Sequence, residues 1–460
     1  MILYIKINEI ICEVIMTFRQ KFAIKFAKFV AKLCLKMGRQ GVTWAGLIAR
    51  KIEPNILKVL SDQVREKVYI VCGTNGKTTT NNMLCTTLQS QGKKVLCNRT
   101  GSNMLNGVVS AFVLATNDDC QLDCDYACIE IDEASTRRVL PTLKPDYMVL
   151  TNIFRDQLDR YGEIDITIDI LSKSIKMAPN MTLVINGDDP LSLFLAKKSG
   201  NKFITYGISE KVFDADENSE IREGRFCEMC GTKMHYNYYH YSQLGDYECP
   251  HCGFKRPEID YPATNIECGD HLAFTVQGMN IHAKYKGFYN IYNILAVYAV
   301  ASHSGVDMRG FQSMLDNFNP ENGRIEHFNI KGTIVELNLA KNPAGFNQNI
   351  NAVMADTKDK DVIILINDRD QDGNDVSWLW DVDFDRFKDK SIKSITVSGI
   401  RCQDMRLRLK YVDIPSTLEP NIETAIRNKI ENGTKNLYVL VNYTGLYSTR
   451  NILKRMEGEK

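Results

Sequence analysis

Residues 68–80 read Val68-Tyr69-Ile70-Val71-Cys72-Gly73-Thr74-Asn75-Gly76-Lys77-Thr78-Thr79-Thr80. A run of β-forming residues enters a turn bounded by two glycines, and a helical pattern follows the lysine. Strand, loop and helix in that order are what a phosphate group needs. Glycines let backbone N–H groups approach closely, and the helix N-terminus adds partial positive charge. A lysine reaches the terminal phosphates, and a threonine hydroxyl can ligate Mg²⁺. Gly73, Thr74, Asn75, Gly76, Lys77, Thr78 and Thr79 are therefore the candidate nucleotide-binding residues. The loop is G-x2-G-K-T, shorter than the G-x4-G-K-[ST] pattern. A chance glycine-rich turn is the competing reading, and the flanking strand and helix argue against it. A magnesium ion held by Thr78 needs a carboxylate on a neighbouring strand end. Glu130, in Ile129-Glu130-Ile131-Asp132-Glu133, is the candidate. Asp132 and Glu133, just before Ala134-Ser135, read as caps of the next helix.

Outward from this loop, the chain alternates β-rich runs with helical stretches. Strands are expected at residues 68–72, 126–131, 147–151 and 182–185, and a long apolar helix at 289–303. A second α/β stretch begins near residue 323, with strands expected at 333–337, 362–367, 394–398 and 437–442. The order implies mostly parallel sheets with crossover helices. The chain has 460 residues, enough for about three ordinary domains by the ~150-residue guide. Fifty-seven basic side chains face 56 acidic ones, which disfavours a globally basic nucleic-acid binder and an acidic disordered chain. No apolar run approaches the ~20 residues of a membrane span. No secretory signal fits residues 1–16, which carry Lys6, Glu9 and Glu13, so a reducing, cytoplasmic setting is expected.

Residues 222–257 break the alternation and read as an insertion. Cys227-x2-Cys230-x18-Cys249-x2-Cys252 falls within the spacing of a four-thiolate zinc site. Four cysteines close a tetrahedral shell, so the expected Zn²⁺ is structural. Near the N-terminus, Phe18, Phe22, Phe26, Phe29 and Leu33 recur at helical spacing, beside Lys21, Lys25, Lys28, Lys32 and Lys36. Such a helix either lies on an anionic membrane surface or docks its phenylalanines on the protein's own body, the lysines forming a solvated face.

The same residues resemble the Mur ligase superfamily. The resemblance rests on residues 73–80, on Thr151-Asn152-Ile153-Phe154-Arg155-Asp156-Gln157-Leu158-Asp159-Arg160-Tyr161-Gly162, on residues 186–190, on Asn290 and Asn293, and on Asn322-Gly323-Arg324-Ile325-Glu326. Three departures narrow it. Only 67 residues precede the phosphate-loop strand, a four-cysteine segment is inserted, and Gln157 stands where the superfamily has His. Asn338-Leu339-Ala340-Lys341-Asn342-Pro343-Ala344-Gly345 and Asp372-Gly373-Asn374-Asp375-Val376-Ser377-Trp378 resemble the MurT family, the ligase-like subunits of lipid II isoglutaminyl synthase.

This resemblance implies an α/β fold. A Mur ligase-type central P-loop ATPase domain (55–318) would carry the zinc ribbon (222–257), followed by a C-terminal Rossmann-like domain (319–460) and preceded by an extension (1–54) whose first 15 residues are expected to be dispensable. It implies ATP and Mg²⁺, a GatD-like glutaminase as partner in a heterodimer, lipid II as substrate, peripheral contact with the inner membrane face, and no nucleic acid. By matching positions, Lys77 and Thr78 would hold phosphates and Mg²⁺, Glu130 would share the metal, and Asn293 would contact adenine. Arg324 would meet the nucleotide from the domain junction, Asp368 would lie near the ribose, and Asp375 would complete the partner's Cys-His pair. The competing readings are an amino-acid-adding ligase of the Mur or folylpolyglutamate type, and a zinc-ribbon ATPase that binds nucleic acid.

Overall fold

Helix α1 (Phe18–Lys36) opens on a capping box. Thr17 Oγ1 accepts from the Gln20 amide at 3.3 Å, and the Gln20 side chain accepts from the Thr17 amide at 2.8 Å, so two amides at the start of the helix find partners. The structure is a computed structural model, and it describes residues 16–37, 42–99, 102–155, 164–213, 223–269, 271–284, 287–319 and 325–458. The expectation for residues 1–15 lies outside them. The face that α1 buries is Ala23, Ile24, Ala27 and Ala31. These small side chains let it pack on α2 (Val42–Ile52). Phe18, Phe22, Phe26, Phe29 and Leu33 all face solvent. Docking of the phenylalanines on the protein's own body is thereby overturned, because the alanines repeat at the same spacing and take the inner face.

The main sheet explains the position of the loop. Its strands are β1 (Lys67–Cys72), β2 (Val95–Cys97), β3 (Tyr126–Glu130), β4 (Tyr147–Leu150), β5 (Thr182–Asn186) and β6 (Phe203–Ile208). After an excursion through the hairpin β7 (His235–Tyr241) and β8 (Leu244–Glu248), the chain adds β9 (Tyr261–Cys268), β10 (Leu272–Val276) and β11 (Met279–Ala283). The order is β11-β10-β9-β6-β5-β4-β1-β3-β2. Every pairing from β9 to β2 is parallel, and only the β9-β10-β11 edge is antiparallel. β1 is covered on both faces, five of its six residues being buried, as a near-continuous apolar run requires. After β1 the chain moves toward β3 and β2, and after β4 toward β5 and β6, so the strand order reverses between β1 and β4, which opens a crevice at their carboxyl end. Helix α3 (Lys77–Gln89) leaves from that end, and α4 (Leu105–Ala115) packs against α2. Helix α5 (Tyr289–His303) is nearly all buried and lies beside α3.

The C-terminal sheet has the order β12-β13-β17-β14-β15-β16, from β12 (Ile325–Ile330), β13 (Thr333–Leu339), β14 (Lys360–Leu365), β15 (Ile392–Ser398), β16 (Thr417–Leu418) and β17 (Asn436–Val441). All its pairings are parallel except β12-β13. Helix α6 (Pro343–Ala355) follows β13, with Asn342 as its N-cap.

The burial of α1 makes a prediction. Ala27→Leu overpacks the α1 inner face and should cost about 1–3 kcal/mol in urea unfolding. Phe22→Ser, on the open face, should stay within about 0.5 kcal/mol of the parent.

Candidate nucleotide site

The loop after β1 is held in shape from the end of β4. The Thr74 and Asn75 amides donate to the Asn152 backbone and side-chain oxygens, both at 2.9 Å, and the Asn152 side chain donates back to the Asn75 carbonyl at 3.1 Å. Thr74 Oγ1 donates to the Phe154 carbonyl at 3.0 Å and accepts from the Phe154 amide at 2.9 Å. Thr74 thus shapes the loop with its hydroxyl as well as its backbone. Gly76 has φ +86°, and a Cβ there would sit 2.2 Å from Asn293 Oδ1, so glycine is required on two counts. Thr78 and Thr79 fall in the first turn of α3, where helix geometry supplies no i−4 acceptor.

Acidic groups from the end of β3 meet this turn. Glu130 is buried, and its Oε2 accepts from Thr78 Oγ1 at 2.8 Å. Its Oε1 accepts from Asn103 Nδ2 at 2.9 Å, and Asn98 brackets its backbone with two bonds of 2.8 Å. Hydroxyl and carboxylate oxygens so disposed fit a magnesium ion. Glu133 departs from the capping expected of it: its carboxylate lies 3.3 Å from Lys77 Nζ in a buried ion pair. Lys77 also donates to the Gly73 carbonyl. Asp132 accepts from the Ser135 amide at 2.6 Å, within the turn that leads into the next helix rather than as its cap.

The loop faces a cleft lined by Asn75, Gly76, Asn152, Tyr241, Tyr289 and Asn293 on one side and by Leu339, Ala344, Gly345, Gln348 and Asn349 on the other. Asn293, near the start of α5, accepts from Thr80 Oγ1 at 3.4 Å and donates to Asn290 at 3.0 Å. Asn75 and Asn342 pair across the cleft through both amide groups, at 3.2 and 3.4 Å. Arg155 lies 3.4 Å from Asp381. Asp368 forms an ion pair with Arg401 Nε at 2.8 Å. Asp375 is partly exposed in the loop beyond β14, where its Oδ1 accepts from the Ser377 amide at 2.7 Å. Arg324 and Gln157 lie outside the described residues.

The four cysteines converge. All four sulfurs lie within 4.8 Å of one another, with Cys227–Cys252 and Cys230–Cys249 at 3.5 Å. A zinc tetrahedron with bonds of ~2.3 Å spaces its sulfurs at ~3.8 Å, so the set fits the ion. The two knuckles repeat one design: the Gly231 amide donates to the Cys227 carbonyl at 2.7 Å and the Gly253 amide to Cys249 at 3.2 Å.

The β7-β8 hairpin is fastened to the body by groups the spacing of the cysteines did not reveal. Arg256 Nε donates to Asp188 Oδ1 at 2.7 Å, and Asp188 Oδ2 accepts from Tyr292 and from the Ile208 amide, each at 2.8 Å. At the hairpin tip, Gln243 Nε2 donates to the Ile153 carbonyl at 2.7 Å, and Tyr241 reaches the cleft. Asp189 accepts from the Ile153 amide at 3.0 Å, and burial pushes its carboxyl up to about 6. The presence of Asp188 and Asp189 in the Asn186–Pro190 turn was the only sequence signal for this linkage.

The Mur ligase middle domain matches residues 71–301, and the MurT ligase C-terminal domain matches residues 339–446. A lipid II isoglutaminyl synthase (glutamine-hydrolyzing) subunit MurT of Staphylococcus aureus (strain COL) is 36% identical, covering 93% of this chain and 96% of its own. The chain belongs to the MurT family. The Streptococcus pneumoniae MurT subunit is 32% identical over 91% of this chain and 93% of its own. MurT chains are thus ligases of the Mur ligase fold, in peptidoglycan synthesis. That fold is also seen in a pseudomurein peptide ligase type C from Methanothermus fervidus, with a TM-score of 0.66 at 22% identity, covering 86% of this chain and 80% of that one. MurF from Acinetobacter baumannii gives 0.62 at 15% identity, over 88% and 80%.

Truncating Arg256 tests the fastening of the hairpin. Arg256→Ala strands a buried carboxylate and should cost about 3–5 kcal/mol in urea unfolding. Asp188→Asn in the same background should return part of that loss.

Proposed function

We propose that this chain uses ATP to amidate the α-carboxyl of D-glutamate in the lipid II stem peptide, giving D-isoglutamine, with ammonia from a GatD-like glutaminase partner. The observation that carries the reading is the convergence of Lys77, the Thr78–Glu130 oxygen pair and the first turn of α3 at the end of β1, next to Asn75 and Gly76, which line the cleft. A carboxylate is a poor electrophile. Attack of its oxygen on the γ-phosphorus, with ADP leaving, gives an acyl phosphate; ammonia then attacks the acyl carbon and inorganic phosphate leaves.

Each residue has a task in that sequence. Lys77 turns from Glu133 toward the terminal phosphates and neutralises charge on the γ-phosphoryl group. Thr78 and Glu130 would hold Mg²⁺, which supplies charge neutralisation between the phosphates when bound. Asn293 holds the adenine edge, with Tyr241 and Tyr289 as apolar walls of the same cleft. Arg324 adds a cation from the domain junction, and Asp368 serves the ribose. The C-terminal half acts as a Rossmann-like domain from residue 319, closing on a central domain of residues 55–318 to exclude water. The ribbon at 222–257 holds one structural Zn²⁺. Asp375, on a partly exposed loop, completes the Cys-His pair of the glutaminase. The reaction takes place in the cytoplasm, and the chain has no nucleic-acid ligand. An amino-acid-adding ligase is the alternative, and the nitrogen source separates the two.

Lys77→Ala should lower isoglutamine formation, followed by mass spectrometry, by a factor of about 10³ with either glutamine or ammonium as nitrogen source. Asp375→Ala should lose the glutamine-dependent reaction alone. Equal loss from both sources in a folded Asp375→Ala protein refutes the triad role, and turnover with a free amino acid in place of ammonia favours the alternative.

Zinc removal should act on stability first. A strong chelator should release one Zn²⁺ per chain, lower the melting temperature and open residues 223–257 to protease, and Cys249→Ser should reproduce the shift. Protein purified without chelator that contains no zinc refutes the site.

A further inference from the structure

The N-terminal helix presents its apolar stripe outward, which an ordinary surface helix does not do. Phe18, Phe22, Phe26 and Phe29 are 86%, 50%, 42% and 61% exposed. At ~100° per residue, these four and Leu33 fall within ~80° of the helix circumference. The stripe lies nearly opposite the alanine face that packs on the body. Phe22 stacks on Phe18 and Phe26 at centroid distances of 6.5 and 5.7 Å, so the rings form one ridge. Lys21, Lys25, Lys32 and Lys36 are exposed beside it, while Lys28 donates to the Thr116 carbonyl.

We propose that this ridge seats the protein on an anionic lipid surface, the phenylalanines entering the headgroup region and the lysines meeting lipid phosphates. Charge decides between lipid and protein as the occupant. Residues 14–52 hold nine lysines and arginines and no acid. Lysine is depleted at protein–protein interfaces, whereas aromatic rings flanked by lysines suit an anionic interface. The helix is already folded and anchored through Ala23, Ile24, Ala27 and Ala31, so seating it carries no cost of ordering the backbone. No helix among the described residues is long and apolar enough to cross a membrane, which leaves contact at the surface as the mode.

The test is co-sedimentation of the full chain with vesicles of phosphatidylglycerol and phosphatidylethanolamine, and with pure phosphatidylcholine as control. Binding should favour the anionic vesicles and fall with salt. The variant Phe18→Ser/Phe22→Ser/Phe29→Ser should lower partitioning by about tenfold or more. The variant Lys21→Gln/Lys25→Gln/Lys32→Gln/Lys36→Gln should abolish the preference for anionic lipid. Both sets lie on open faces, and unchanged circular dichroism and ammonium-dependent turnover on detergent-dispersed substrate confirm that each variant is folded. The proposal is overturned if the parent chain stays in the supernatant, or if neither variant changes sedimentation. It is equally overturned if the glutaminase partner displaces the chain from vesicles and the phenylalanine variant loses that partner, because the ridge would then be a subunit interface.

Discussion

Two adjacent buried carboxylates, Asp188 and Asp189, hold the central half of the molecule in register. Asp188 collects Arg256, Tyr292 and the Ile208 amide, so it joins the end of the ribbon segment, helix α5 and strand β6 at one point. Asp189 collects the Ile153 and Leu191 amides, Ser192 and Gln243, so it joins the end of β4, the following helix and the hairpin tip. A buried carboxylate must be fully hydrogen-bonded to be tolerated. That need is what draws these segments together. The segment that Asp189 fixes, residues 151–154, is the one that clamps Thr74 and Asn75. The four-cysteine module is therefore linked to the loop after β1 through Gln243, while Arg256 ties it to Asp188.

The loop itself shows how a small motif divides its labour. Thr74 and Asn75 serve the scaffold, as their amides answer to Asn152 and the Thr74 hydroxyl to Phe154. Lys77, Thr78 and Thr79 lie where the helix begins. Glu133 gives Lys77 a buried counter-charge, so the cation is not buried alone.

Much of this was legible in the residues. Strand, glycine turn and lysine in order specify the loop, and two C-x2-C pairs at the right interval specify the four-sulfur cluster. The strands near residues 68, 126, 147 and 182 appear where their β-branched runs placed them. What escaped was what periodicity does not encode. β2 is three residues long, too short for a pattern. The Asn75–Asn342 pair spans 267 positions, and nothing local in either residue announces the other. Glu133 looked like a cap because acids before a helix usually are. In α1 the spacing fixed the helix without fixing its inward face. Alanines at 23, 27 and 31 repeat with the same period as the phenylalanines, and the smaller set won the interior because it permits a closer approach to α2.

The amide pair across the cleft has a bearing on how the two sheets are held together. Asn75 and Asn342 satisfy each other with groups that water replaces one for one. Arg155 and Asp381 add an ion pair, and Ala344 packs against the core beside the main sheet. A junction made largely of such exchangeable polar contacts is held by a small net free energy, because each bond lost within the protein is regained with water.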